Sequence, residues 1–311
     1  MSAVAADILA RLDAMALEAG IELAVDAPLA PLTTLRVGGP ADRLATPRSR
    51  DELLAVLGVA KASGTPLFML GNGSDLVVAD AGIRGLVVRN RARNLVVDGT
   101  TVGGDAGVAM AQLVKRCTLD GLAGIAFGIS IPGSLGGAVW ANAGAHGGEM
   151  ADVVTRVETW DPRSGSLVWL DAAACRFAYR DSRFKHGDEV IVGAELLLHH
   201  GDRSDIAAEV DAHQARRRAT QPLADQNAGS VFRNPPGDHA GRLIDAAGLK
   251  GYRIGSAQVS TLHANFIVTD RGGRAADVRA VGEHVRAVVA DRFGIELHYE
   301  IEFVGDWEPA Q

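Results

Sequence analysis

Apolar residues recur at helical spacing in six stretches of this chain, and short apolar runs separate them. Helices are predicted over 5–19, 51–63, 105–119, 205–218, 243–249 and 275–291. Ser49 or Asp51 is placed to cap the second. The fourth ends in Arg216-Arg217-Arg218, and LIDAAGL (243–249) stops at Gly248. Residues 35–44 predict a strand pair around Gly38-Gly39-Pro40. PLFMLGNGSDLVVAD predicts a buried strand, a Gly-Asn-Gly turn and a second apolar run. GLVVRN, NLVVDG and NFIVTD predict further strands, and 153–160 and 189–198 are expected to alternate. The closing run IELHYEIEFVG (295–305) puts Leu297, Tyr299, Ile301 and Phe303 on one face and Glu296, His298, Glu300 and Glu302 on the other. Short strands among scattered helices predict an α+β fold rather than a doubly wound parallel sheet. A new unit is expected to begin near 219.

A length of 311 residues suits two domains, or three with a small one. The hydrophobic content of 47% is enough for a real core, and the net charge of −7 argues against a broad nucleic-acid face. Cys117 and Cys175 are too few for a disulfide framework, so a reducing compartment is expected. The N-terminal stretch has the spacing of an amphipathic helix and lacks the basic start and apolar run of a signal peptide. These features predict a soluble cytoplasmic protein with no membrane insertion. The sequence contains no HExxH, CxxC, GxGxxG or GxxxxGK[ST], and its nine His are dispersed, so no metal site is expected.

The most informative segment is 121–148, GLAGIAFGISIPGSLGGAVWANAGAHGG, which holds nine Gly and no charged side chain. Gly133, Gly136 and Gly137 let backbone amides approach a ligand, and consecutive exposed amides make a concave anion site. GNGSDLVV (71–78) has the same character, although an ordinary hairpin would explain it alone. In NAGSVFRNP (227–235), Ser230 either satisfies local backbone or water, or is a hydroxyl in a dry pocket able to donate a proton. Arg180 in YRDSRFK (179–185) is a surface ion-pair residue or a fixed cation facing a carboxylate. The acidic face of the last run is a solvated edge, or a carboxylate cluster whose members raise one another's pKa. The triple Arg is a solvated helix end, or meets a diphosphate.

Together these strings resemble the UDP-N-acetylenolpyruvoylglucosamine reductase family, from TTLRVGG (33–39) to YEIEFVG (299–305). The shared strings include LGNGSDLVV, IPGSLGGAVWANAGA, YRDSRFK, NAGSVFRNP, AGRLIDAAGLKGYRIGSAQVS and HANFIV. The resemblance implies an FAD-binding pair of subdomains of the vanillyl-alcohol-oxidase-like type at 1–90 and 91–205. It implies a substrate-binding domain at 206–298 and a C-terminal strand, 299–311, that returns to the FAD domain. It implies that NADPH reduces non-covalent FAD, that hydride passes from flavin N5 to C3 of the enolpyruvyl UDP-sugar, and that a proton reaches C2. By motif, Ser230 matches the proton donor, while Arg180 and Glu300 match the residues that stabilise the enolate carboxylate and orient the donor. For FAD it points to Gly71, Asn72, Gly73, Ser74 and Asp75, and to Ile131, Pro132, Gly133, Ser134, Gly136 and Gly137. Asn142, Ala143 and Gly144 follow, with Thr34 and Arg36 as further candidates. For the UDP-sugar it points to Tyr179, Arg217, Arg218, Asn234 and Asn265.

The chain also departs from the family's longer form. With 49 residues between Arg180 and Ser230, it resembles the family's shorter form, without the loop whose tyrosine closes over substrate. Gln221 stands near a lysine of that form and Glu302 in place of an arginine, so diphosphate recognition is expected to shift to the Arg216-Arg217-Arg218 cluster. Two alternatives remain: an FAD oxidase of the same superfamily, for which His146 would be the flavin-linking histidine, and a non-catalytic flavin or nucleotide-sugar binder. A monomer or weak oligomer is expected.

Overall fold

The computed structural model describes residues 3–307, with side chains described from residue 5. Residues 308–311 of the expected C-terminal segment lie outside it. The chain forms two compact units, Met1–Val25, Arg43–Asn72 and Gly85–Arg216 in the first, and Asp26–Asp42, Gly73–Arg84 and Arg217–Gln311 in the second.

The first unit is built on a five-stranded antiparallel sheet. Its strands run in the order Leu167–Asp171, Val154–Trp160, Val190–Leu197, Thr101–Asp105, Leu95–Asp98. Helices α1 (Ala3–Glu18) and α2 (Arg50–Ser63) supply Leu9, Leu12, Leu53, Val56 and Leu57 to one cluster. Helices α3 (Met110–Asp120) and α4 (Leu135–Ala141) supply Leu113, Val114, Leu135 and Val139 to another. Strand 190–197 feeds both clusters. Val190 and Val192 join the first, and Ile191, Ala194 and Leu196 join the second. The expected in/out alternation therefore becomes burial along nearly the whole strand. The parity changes at a register shift, where Glu158 pairs with Gly193 but Thr159 pairs with Ile191. One extra residue at a bulge turns the following side chains to the other face.

The α2 cap is the expected one: the Ser49 hydroxyl accepts from the Glu52 N–H at 3.2 Å. The helix expected over 105–119 starts later, at Met110. Before it, the amides of Ala106 and Val108 donate to Val192 O and Asp105 O, which holds the backbone in a turn at the sheet edge. A parallel pair, Leu67–Leu70 beside Leu86–Arg89, leads into the first glycine loop. Helix α5 (Arg203–Thr220) buries Ile206 and Val210.

The second unit packs α6 (Ala240–Ala246) and α7 (Ala275–Phe293) against a small antiparallel sheet. The sheet's order is Gln226–Asn227, Ile267–Thr269, Ala257–Val259, Arg253–Ile254. Val278, Val281, Val285 and Val289 of α7 are buried there at a helical spacing, each contributing about 1.5–3 kcal/mol. Of the strand expected over 295–305, only Glu302–Val304 forms a ladder, parallel to Leu76–Val78. The preceding residues still alternate, with Leu297 and Ile301 buried, but side chains and two separate backbone contacts hold them. The expected strand pair over 35–44 is one strand, Pro40–Ala45. Upstream of it, Arg36 takes a left-handed φ of 59°, its N–H on the Thr33 hydroxyl, so Leu35 and Val37 both enter the core. The architecture is α+β. Among the described residues no helix is long and apolar enough to cross a membrane.

Cys117 and Cys175 are buried and free, and burial pushes each thiol up to about 11. At pH 8 the thiolate fraction is then about one in a thousand. Ellman's reagent should react with neither in the native protein and with both after denaturation; fast native labelling would contradict the burial.

Candidate functional site

Within the first unit the two glycine-rich loops lie side by side. A Cβ built on Gly71 would sit 2.6 Å from Ser134 Oγ, so only a glycine permits this approach without a shift. The Asn72 side-chain amide donates to Pro132 O at 3.0 Å, pinning one loop to the other. The amides of Gly71, Asn72, Gly133 and Ser134 find no acceptor among the described residues. The start of α4 is different. Leu135 N–H donates to Val108 O, Gly136 N–H to Ala106 O, and Gly137 N–H to the capping Ser134 hydroxyl. The amides without an acceptor among the described residues thus lie in the turn before the helix rather than at Gly136 and Gly137.

Beyond α4, Asn142 is fully buried in a left-handed cap. Its Oδ1 accepts from Ala151 N–H and its Nδ2 donates to Ala178 O, both at 2.9 Å, so this side chain ties the loop to the Tyr179-Arg180 turn. Ile131 and Ala143 pack against the core, their N–H groups on Gly128 O and Ala138 O. Gly144 pairs with Glu149 in a short hairpin.

Arg180 reaches the same region. Ala178 and Asp181 exchange two backbone hydrogen bonds, and Arg180 sits in that tight turn at a φ of 54°, a conformation that costs an L-residue about 1–2 kcal/mol. Its Nη2 donates to Gly144 O at 2.6 Å. The exposed Tyr179 ring lies 5.2 Å from its guanidinium. The turn is docked by Ser182, whose hydroxyl donates to Trp140 O, and by the Trp140 indole, which donates to Phe184 O. Sequence reasoning missed these supports; their signal was a Ser and a Trp beside buried aromatic positions. His146 faces Ser130, with Nε2 2.8 Å from its hydroxyl, and stacks on His213 at 4.0 Å.

In the second unit, Gly73, Ser74 and Asp75 lie between the segments of Ser230 and Glu300. Thr34 N–H donates to Gly73 O at 2.9 Å, and the Thr34 hydroxyl donates to Asn227 O at 2.7 Å. On the other side Glu302 N–H donates to Asp75 O at 2.8 Å. The amides of Gly73 and Ser74 have no acceptor among the described residues. Gly229 has a φ of 77° and donates its N–H to Asn227 Oδ1, forming the turn that presents Ser230. The Ser230 hydroxyl makes no hydrogen bond with any described residue. Glu300 N–H donates to Val231 O at 2.8 Å, and Phe232 bridges Tyr299, which sets Ser230 one residue from the partner of Glu300.

Arg36 Nη1 donates to Pro31 O at 3.1 Å. Asn265, fully buried, accepts from Phe232 N–H and donates to Phe232 O. Asn234 is exposed and accepts from Ala240 N–H at the start of α6. Both amides brace the Ser230 loop, and only Asn234 keeps a free NH₂. Arg217 is a half-buried cation bonded to Gln221 Oε1 at 3.1 Å, with no acidic partner among the described residues; burial lowers its pKa. Arg218 is exposed beside it.

Residues 41–171 match the FAD binding domain family, and residues 221–304 match the UDP-N-acetylenolpyruvoylglucosamine reductase C-terminal domain. The chain is 43% identical to UDP-N-acetylenolpyruvoylglucosamine reductase 2 of Symbiobacterium thermophilum, over 91% of this chain and 92% of that one. It is 46% identical to the reductase of Anaeromyxobacter dehalogenans strain 2CP-C, over 91% and 86%. The solved reductase of Thermus caldophilus superposes with a TM-score of 0.77 at 34% identity, covering 91% of this chain and 98% of that one. A domain of the FAD-binding kind joined to a reductase C-terminal domain defines the class, an FAD-dependent oxidoreductase. The chain belongs to the UDP-N-acetylenolpyruvoylglucosamine reductase family.

The residues present fit a diphosphate-bearing cofactor: free amides on two uncharged turns, with a contact that a Cβ would block. Gly71→Val should weaken FAD retention about tenfold or more, about 1.4 kcal/mol, with the far-UV spectrum unchanged. Equal flavin content after dialysis of the two proteins would contradict this.

Proposed function

We propose that this protein carries out the NADPH-dependent reduction of UDP-N-acetylglucosamine enolpyruvate to UDP-N-acetylmuramate, a step of peptidoglycan precursor synthesis, in the cytoplasm. The observation that carries the reading is in the second unit: an unbonded Ser230 hydroxyl and the Glu300 segment flank the first glycine loop. Residues 1–90 and 91–205 hold FAD, 206–298 hold the UDP-sugar, and the segment from 299 closes the fold. The amides of Gly71, Asn72, Gly73, Ser74, Gly133 and Ser134 hold the FAD diphosphate. Bound FAD supplies a two-electron carrier between NADPH and the enolpyruvyl double bond.

The chain's own residues manage charge and the proton. Arg180 is fixed by its turn and by Gly144 O, so its guanidinium is preorganised for a carboxylate. Charge arriving on the substrate then spreads onto carboxylate oxygens rather than remaining at C2. Ser230 Oγ–H donates to C2; a weak acid suffices against a strongly basic carbon if held at about 3 Å. Glu300 orients that hydroxyl. Arg217, a half-buried cation lacking an acid among the described residues, suits the substrate diphosphate, and Arg218, Tyr179 and Asn234 are further candidates for the UDP-sugar. The oxidase alternative gains no support at His146, whose Nε2 faces Ser130 and whose ring is stacked on His213.

Anaerobic half-reactions test this. Ser230→Ala should keep NADPH reduction of the flavin and slow reoxidation by the enolpyruvyl UDP-sugar about 10²–10⁴-fold. Normal turnover would sink the serine assignment. Acid denaturation should release all yellow colour from the chain, and flavin remaining attached would favour the oxidase.

A further inference from the structure

The segment before the last strand meets the Ser230 loop through one backbone bridge, with Arg233 N–H on His298 O and Glu300 N–H on Val231 O, rather than through a continuous ladder. We propose that Tyr299, clamped by Glu283 and Arg286 of α7, is a positioning residue that aligns the Ser230 hydroxyl with the Glu300 carboxylate. This rests on the proton-donor role assigned to Ser230 above.

Three contacts define the clamp. The Tyr299 hydroxyl donates to Glu283 Oε1 at 3.0 Å. Arg286 Nε donates to Leu297 O at 3.0 Å, its Nη1 pairs with Glu283 at 3.1 Å, and its guanidinium lies 5.3 Å from the Tyr299 ring. Arg286 also reaches Glu296 at 3.3 Å, so one side chain grips both ends of 296–299. On its other side the Tyr299 ring stacks on Phe232 at 5.0 Å, and the two residues form a backbone bridge. Phe232 lies two residues after Ser230, and Tyr299 one before Glu300. A displacement of Tyr299 along α7 is therefore passed to both functional side chains.

The fit is close. A Cβ on Gly282 would come 2.5 Å from the Tyr299 hydroxyl oxygen and 3.1–3.2 Å from its ring carbons. Burial and the neighbouring Glu283 carboxylate raise the Tyr299 pKa, which keeps its proton in place to donate. Simple core filling would need the ring alone. The hydroxyl-to-carboxylate bond and the arginine on a backbone carbonyl add direction, which packing does not require.

Tyr299→Phe keeps the ring and removes the anchor, and Gly282→Ala displaces the anchor without touching Tyr299. Both should leave flavin reduction by NADPH and the KM for the UDP-sugar within about twofold of the parent. Both should slow substrate-driven flavin reoxidation about tenfold and enlarge its solvent deuterium isotope effect. In a Ser230→Ala background Tyr299→Phe should have no further effect, because the group it positions is gone. An unchanged reoxidation rate in both single variants, or an equal slowing with and without Ser230, would overturn the proposal. If Ser230→Ala itself turned over normally, the donor assignment would fail, and this alignment role would fail with it.

Discussion

Gly73 and Asp75 spend their carbonyl oxygens on Thr34 and Glu302, and the rest of the second unit's functional region depends on those two bonds. They fix residues 73–75 between the turn of Ser230 and the segment that carries Glu300. The amides of Gly73 and Ser74, beside those bonded carbonyls, have no acceptor among the described residues. A backbone held this way presents donors at no reorganisation cost, which is what binding a diphosphate requires. In the first unit Gly71 and Asn72 do the corresponding work against Ser134 and Pro132, where absence of a Cβ allows the approach.

The unit-one loop also shows how protein and ligand compete for the same donors. A helix N-terminus is an anion site only while its first amides are free. At α4 they are not: Val108, Ala106 and the Ser134 hydroxyl take all three. The glycine at 136 serves close packing against Ala106. The turn residues Gly133 and Ser134 keep their donors. Along 131–144 the small residues therefore differ in what they do: Gly133 and Ser134 leave amides unbonded among the described residues, while Gly136 allows close packing on Ala106.

Several side chains that resemble ligand contacts by motif turn out to brace the residues beside them. Asn142 joins the α4 cap to the Arg180 turn, and Asn265 holds Phe232 and so the Ser230 loop. Both are buried with their amide groups committed, and loss of either would leave unsatisfied backbone behind. Arg180 itself is strained at a positive φ and anchored on Gly144, an arrangement that favours a fixed direction over stability.

Local chemistry was legible where it does not depend on partners. Helical spacing located α2 and α7, Ser49 marked a cap, and two uncharged glycine turns stood out by their shared composition in a chain with 22% charged residues. The motif order from 33 to 305 was enough to point to the family. What the sequence could not decide was long-range pairing. Residues 105–109 have helical spacing, yet Val192 and Asp105 capture their amides in a turn. Residues 295–301 alternate like a strand, yet only 302–304 form a ladder, with Leu76–Val78, and Tyr299 makes a single bridge to Phe232. Which amides stay free, and which asparagines are spent, is settled by neighbours distant in the chain. A residue's identity sets the bonds it is able to make; only the folded chain determines which of them are already made.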